Sequence, residues 1–263
     1  MTDTFDQADT PSFKAKERLD RLVFERGLAR SREHARALIM AGSVLVADRP
    51  VDKPGTTVPA EAEIRLRGDV SPFVSRGGQK LEKALEAFAL DVAGLTVIDV
   101  GASTGGFTDC LLQRGAVRVF AVDVGYGQLA WKLRQDERVV NLEKTNIRYL
   151  QPESLAAVPD MAVIDASFIS LDKVLPATIS LIRPGGTIVA LIKPQFEVGR
   201  GQVGKGGVVR DPDLHRQVID NIRELAETLH LTVHGVVESP ILGPKGNREF
   251  LICLEKSAGT EPA

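Results

Sequence analysis

The chain has 263 residues, 43% of them apolar, enough for one large domain and a small one with a proper core and no covalent staples. Its formal charge of −2 excludes a uniformly basic nucleic-acid coat, so any RNA contact has to come from local clusters of charge. Cys110 and Cys253 both lie in apolar stretches, which excludes a disulfide framework and a thiolate zinc site and suits a reducing compartment. Residues 1–12 are polar and acidic, unlike a signal peptide, and are expected to be disordered. No apolar run approaches the roughly 18 residues of a membrane-spanning helix. A soluble, cytoplasmic protein with no membrane contact and no obligate protein partner is expected.

Residues 13–67 predict a small α+β domain. Leu19, Leu22 and Val23 form the apolar stripe of a first helix; Ser31 is placed to cap a second, which carries Ala35, Leu38 and Ile39 and ends at Gly42. Val44-Leu45-Val46 reads as a strand, followed by short strands broken at Asp48-Arg49-Pro50 and Lys53-Pro54-Gly55. From Phe13 to Gly42 there are eight basic residues against four acidic ones, a local excess of +4 on the helices. Charge of this kind fits either a solvated face or an RNA surface. The order Arg18-Leu19-Asp20, Gly27-Leu28, Ser31-Arg32, Ala35, Leu38-Ile39, Gly42, Val44–Val46 and Lys53-Pro54-Gly55 resembles the S-four module. That RNA-binding unit is shared by a ribosomal small-subunit protein, pseudouridine synthases and tyrosyl-tRNA synthetases. The resemblance implies docking onto structured RNA, with Lys14, Lys16, Arg18, Arg21, Arg30, Arg32 and Arg36, joined by Arg76, at the phosphates.

After a linker at 68–74, residues 75–256 change texture. The runs Thr96–Val100, Val117–Val122, Met161–Ile164, Thr187–Ile192, Val233–Val237 and Phe250–Leu254 alternate with helical stretches, as in a doubly wound α/β sheet buried on both faces. Asp211-Pro212 caps and opens a helix with Leu214, Val218, Ile222, Leu225 and Leu229 on its apolar side. Residues 257–263 are expected to be a disordered tail.

The strand ending at Asp99-Val100-Gly101 runs through Ala102-Ser103-Thr104-Gly105-Gly106 into a helix from Phe107 to Gln113, the first strand-turn-helix of a Rossmann-like nucleotide site. Three cofactor classes compete for it. Ser103 stands where the dinucleotide fingerprint needs its second glycine, and Phe107 where a P-loop needs lysine. The spacing Asp-x-Gly-x-x-x-Gly-Gly is instead that of a methyltransferase loop around S-adenosylmethionine. Asp123, ending the next strand 22 residues after Gly101, is suited to ribose hydroxyls, and Asn146, beside Ile147, to the adenine edge. The cofactor set is therefore Asp99, Gly101, Ser103, Thr104, Gly105, Gly106, Phe107, Asp123, Asn146 and Ile147.

Counting a third strand just ahead of Thr145-Asn146, Asp165 and Lys193 end the fourth and fifth strands and fall at the same edge of the sheet. Glu249 begins a last strand, expected to be the one antiparallel member, and Lys80 lies on the helix that enters the domain. Lys80, Asp165, Lys193 and Glu249 resemble the catalytic tetrad of FtsJ-like ribose methyltransferases. With Val74-Ser75-Arg76-Gly77-Gly78, Asp165-Ala166-Ser167-Phe168-Ile169-Ser170-Leu171 and Lys193-Pro194-Gln195-Phe196-Glu197, the chain resembles the TlyA family, also known as haemolysins. It departs at the linker, where some members carry Arg-x-Trp-Val and this chain has Ser71-Pro72-Phe73-Val74. The resemblance implies methylation of a cytidine ribose 2′-hydroxyl in ribosomal RNA, free or within a subunit.

A ribose hydroxyl is a poor nucleophile that calls for a positioned base, and an already cationic methyl donor needs no metal. Lys193 is assigned as the base and Lys80 as its electrostatic and positioning neighbour, the repulsion between them favouring loss of a proton while Asp165 and Glu249 orient the pair and limit the shift. The segment from Gly199 to Gly207, with Arg200, Lys205 and Arg210, reads as a long loop or as an RNA-closing lid, and Phe196 as a core residue or a stacking platform. A membrane-lytic protein would need an exposed apolar helix; an RNA-binding protein without activity would not need the tetrad.

Overall fold

The computed structural model describes residues 16–47, 49–67, 72–199, 201–204 and 206–258. Expectations for Lys14, residues 1–12, Ser71, Arg200, Lys205 and the last five residues lie outside the described residues. The chain divides into two units, Met1–Val70 and Ser71–Ala263.

The first unit contains β1 (Lys16–Arg18), α1 (Leu19–Glu25), α2 (Arg32–Met40), β2 (Val44–Val46), β3 (Arg49–Pro50), β4 (Thr57–Pro59) and β5 (Ile64–Leu66). Ser31 Oγ accepts the His34 N–H at 3.1 Å to start α2, and Gly42 adopts φ 67° just past its end. Leu19, Val23, Ala35, Ile39 and Val44 are sealed in the small core these elements share. The expected break at Arg49-Pro50 is instead a strand, pairing with Val46 and Leu45. It stands at the edge of the order β3-β2-β5, where a residue without an N–H is tolerated. Lys16, Arg18, Arg21, Arg30, Arg32 and Arg36 are exposed. Arg18 also holds the buried Asp20 through two hydrogen bonds of 2.9 Å, and Arg21 pairs with Glu25 at 2.6 Å, so these two show less free charge than their sequence implies.

The second unit follows as α3 (Gly77–Ala87), β6 (Thr96–Val100), α4 (Gly106–Gln113), β7 (Arg118–Val122), α5 (Trp131–Arg134), β8 (Val139–Leu142), β9 (Met161–Ile164), α6 (Leu171–Leu181), β10 (Thr187–Ile192), α7 (Pro194–Glu197), α8 (Pro212–Thr228), β11 (Leu231–Glu238) and β12 (Phe250–Lys256). Its seven-stranded sheet has the order β11-β12-β10-β9-β6-β7-β8. β12 is antiparallel to both neighbours, whereas the pairs from β10 to β8 are parallel. Successive side chains of a strand point to opposite faces. Val97, Val119, Val163 and Val189 therefore pack into one core, and Ile98, Phe120, Ile164 and Ile188 into the other. Because both faces are covered, these strands read as continuous apolar runs. The first strand of the unit, β6, lies between β9 and β7, so the winding reverses beside it, and the carboxyl ends of β6 and β9 open there.

Candidate active site

Two adjoining clefts lie at that edge. One, of about 450 Å³, is lined by Arg76, Lys80, Phe107, Asp165, Ser167 and Lys193 together with Gly101, Ser103, Thr104 and Gly106. The other, of about 460 Å³, is lined by Asp123, Asn146, Ile147 and Phe168, and it shares Gly101, Ser103, Asp165 and Ser167 with the first.

The glycine loop forms the shared wall. Gly101 has φ 85°, and a Cβ there would lie 2.8 Å from the Asp165 carbonyl oxygen. Gly105 has φ 92° and would meet Leu133 Cδ1 at 2.2 Å, so the turn into α4 is closed to side chains. Gly101→Ala adds a backbone clash to a left-handed conformation, whereas Gly94→Ala imposes the same conformation, φ 77°, in open space. The first is expected to weaken cofactor binding at least about tenfold and the second to leave it unchanged, as read by calorimetry on both variants.

Asp123 braces this loop: its Oδ2 accepts the Ser103 N–H at 2.8 Å and its Oδ1 the Gly125 N–H at 2.6 Å. Each oxygen keeps a further lone pair for a ligand hydroxyl. Asn146 caps the turn Ile147–Tyr149, its Oδ1 accepting the Arg148 N–H at 3.1 Å.

Asp99 lines neither cleft. It is fully buried beneath the loop, where its Oδ2 accepts from Thr108 Oγ1 at 2.6 Å and its Oδ1 has no hydrogen-bond partner among the described residues. Burial pushes its carboxyl up to about 7, against the Thr108 hydrogen bond and with a further rise from Asp165. The folded chain then holds a proton that the unfolded chain releases near its ordinary carboxylate pKa. Asp99 therefore costs nothing at acid pH and costs progressively more up to about pH 7, on the order of 4 kcal/mol at the upper end. Asp99→Asn should be the more stable form at about pH 8, with the gap closing toward about pH 4; urea unfolding across that range measures it, and parallel curves would refute it.

The tetrad residues reach the cleft from four elements. Asp165 follows β9 and Lys193 follows β10, which run side by side and parallel. Ile192 pairs with Phe250, so Glu249 enters β12 where β10 ends. Lys80 comes from the first turns of α3. Its Nζ lies 2.6 Å from Glu249 Oε2, and both groups are buried; Gln195 Nε2 lies 3.5 Å from the other Glu249 oxygen. Gly243 closes over that carboxylate, since a Cβ there would meet Oε1 at 2.0 Å. Lys193 Nζ lies 2.6 Å from Asp165 Oδ1 and 2.7 Å from Ser167 Oγ. Each lysine nitrogen is thus met by its own carboxylate, Lys80 by Glu249 and Lys193 by Asp165. Lys80, Asp165 and Lys193 line the cleft, and Glu249 stands behind Lys80 with no exposed surface.

Ser167, Gln195 and the Ile241–Gly243 wall were not singled out from sequence as site residues. Ser167 sits in a quoted motif, but loops carry no periodicity that marks one hydroxyl above another. Phe196 is half-buried with its ring 5.1 Å from that of Phe168, which is itself 90% exposed. The end of the glycine-rich segment is fastened rather than loose, with Asn247 accepting the Val209 N–H at 3.0 Å and donating to Gly207 O at 3.0 Å. Cys110 and Cys253 are buried, and burial pushes their thiols up to about 12 and about 11, as core residues. Among the described residues, no helix is long and apolar enough to cross a membrane.

The parallel sheet with one antiparallel strand, the glycine cradle at its switch point and the carboxylate closing the second strand define an S-adenosylmethionine-dependent methyltransferase of Rossmann-like fold. Residues 73–256 match the model of the FtsJ-like methyltransferases, and residues 17–64 that of the S4 domain. The 16S/23S rRNA (cytidine-2′-O)-methyltransferase TlyA of Mycobacterium tuberculosis is 50% identical over 90% of this chain and 89% of its own. Hemolysin A of Brachyspira hyodysenteriae is 41% identical over 89% and 98%. A solved structure from Streptococcus thermophilus, named for a hemolysin, superposes with TM-score 0.73 at 47% identity, covering 93% of this chain and 90% of that one. The chain belongs to the TlyA family, an S4 domain joined to an FtsJ-like methyltransferase.

Proposed function

We propose that this chain methylates the ribose 2′-hydroxyl of a cytidine in ribosomal RNA. The observation that carries the reading is the convergence of Lys80, Asp165, Lys193 and Glu249 on a cleft that opens directly onto the glycine cradle. The relatives whose names state this activity support it.

S-adenosylmethionine, when bound, supplies a methyl group made electrophilic by its sulfonium. The cradle residues Gly101, Ser103, Thr104, Gly105, Gly106 and Phe107, with Asp123, Asn146 and Ile147 along the second cleft, are suited to hold it, and Asp99 supports the loop from beneath. The cradle, closed to side chains at Gly101, and the Asp123 carboxylate at its rim fit such a ligand. Lys193 takes the proton of the ribose hydroxyl, Asp165 holds Lys193 in place, and the Lys80–Glu249 pair fixes positive charge at the cleft wall. Residues 13–67 dock the RNA through Lys16, Arg18, Arg21, Arg30, Arg32 and Arg36, with Lys14 as a further contact, and Arg76 meets it at the cleft mouth. Residues 75–256 form the catalytic domain. Ribosomal RNA, free or within a subunit, is the proposed partner, which places the work in the cytoplasm.

The test is a map of ribose methylation in ribosomal RNA from cells with and without the gene, joined to transfer of a labelled methyl from S-adenosylmethionine to purified subunits. The expected result is one or a few cytidine riboses that lose methylation with the gene and gain it in vitro. A purified protein that binds the cofactor yet labels no RNA would defeat the reading.

A further inference from the structure

We infer that Ser167 is a positioning residue for methyl transfer, its hydroxyl setting the direction in which Lys193 presents its amine to the acceptor. This inference rests on the ribose-methyltransferase reading above.

A lysine ends in a compact charge on a flexible four-carbon stem. One carboxylate contact limits its distance but leaves its direction free. Around Lys193 Nζ there are three acceptors: Asp165 Oδ1 at 2.6 Å, Ser167 Oγ at 2.7 Å and the Asp165 carbonyl oxygen at 3.4 Å. The serine and carbonyl contacts are hydrogen bonds, whereas the Asp165 Oδ1 contact is an ion pair without hydrogen-bond alignment. Asp165 provides two from one residue; Ser167 supplies the second short contact, from another direction. Lys193 itself is buried, whereas Ser167 is exposed and lies in the wall common to both clefts, beside Gly101 and Ser103.

The backbone that carries Ser167 is held to the element that carries Lys193. Phe168 is in the left-handed region at φ 64°, a conformation costing about 1–2 kcal/mol in a residue with a Cβ. Its ring packs on Phe196, and Glu197 takes the Ser170 hydroxyl at 2.5 Å and the Leu171 N–H at 3.0 Å. Phe196 and Glu197 belong to α7, which begins immediately after Lys193. The turn after Ser167 and the residues after Lys193 are thus clasped together, which holds the hydroxyl against the amine. Ser167 changes no bond in the reaction: it keeps its own proton throughout, while Lys193 enters as the neutral amine, its two N–H bonds donated to Ser167 Oγ and the Asp165 carbonyl oxygen and its lone pair taking the ribose hydroxyl proton.

Ser167→Ala and Ser167→Thr separate this role from a merely structural one. In transfer of a labelled methyl to ribosomal subunits, Ser167→Ala should lower kcat about tenfold, the loss of one hydrogen bond to a charged group. The KM for subunits and the cofactor affinity by calorimetry should stay at wild-type values, and the pH dependence of kcat should shift. Ser167→Thr should restore both kcat and the pH profile. In the ligand-free protein, the side-chain ammonium resonance of Lys193 should be protected in wild type and Ser167→Thr and lost to exchange in Ser167→Ala. Wild-type kcat and pH profile in Ser167→Ala, or a loss that threonine does not recover while the Lys193 resonance persists, overturns the inference and leaves the ribose reading standing. A wild type that transfers no methyl to ribose overturns both.

Discussion

Lys193→Ala is expected to abolish methyl transfer and to leave cofactor affinity within about twofold of wild type, the signature of a group needed in the transition state alone. A positioned general base is worth about 10²–10⁴ in rate, and no neighbour takes its place. Lys80 Nζ, the other amine of the cleft wall, is committed to Glu249. The cradle that holds the cofactor is built from the loop after β6 and the end of β7, not from Lys193, so binding survives. The Asp165 carboxylate left behind is partly exposed, at 22%, and can be resolvated, so folding is expected to hold. The assay pairs labelled-methyl transfer to subunits with calorimetry of the cofactor. Unchanged turnover would remove Lys193 from the reaction.

Glu249→Ala is expected to have the opposite signature, a loss of stability that accompanies any loss of transfer. Glu249 has no exposed surface and lies 2.6 Å from a buried Lys80 ammonium. Removing one partner of such a pair leaves the other charge uncompensated and costs about 3–5 kcal/mol. For a domain of this size that lowers the melting temperature by roughly 10 °C. Replacing both members, as Lys80→Met with Glu249→Leu, removes the stranded charge as well, and the double variant is expected to recover most of the stability without recovering transfer. Thermal unfolding of the single and double variants, read against activity, distinguishes a pair kept for chemistry from one kept for folding. A double variant as unstable as Glu249→Ala would show that packing, not charge, is the quantity lost.

Much of this site was legible because it lies on regular elements. β6, β9 and β10 announce themselves as short apolar runs, and the residue after each such run falls at the open edge of the sheet, which placed Gly101, Asp165 and Lys193 together before any coordinates. Glu249 was legible for the converse reason, since β12 runs the other way and its beginning shares that edge. Arg49-Pro50 was misjudged as a break because proline's missing donor argues against a strand, and only pairing order shows that this strand is an edge. Arg18 and Arg21 count as free positive charge in sequence, yet Arg18 pairs with Asp20 two residues on and Arg21 with Glu17 before it and with Glu25 one helical turn on, so both are partly neutralised.

Together with a family resemblance that supplied Lys80, the sequence by itself determined the two-part architecture, the alternation of strands and helices in the larger unit, the cofactor class and the placement of Asp165, Lys193 and Glu249 at strand ends. These follow from local quantities: hydrophobic period, capping residues and the spacing of glycines from strand ends. The tertiary structure alone decided how the four ionisable groups divide into Lys80–Glu249 and Lys193–Asp165, and that Asp99 is sealed beneath the loop instead of lining it. It also brought Ser167 to Lys193. Pairing of charges and depth of burial depend on distances between segments far apart in the chain, and local sequence carries no record of them.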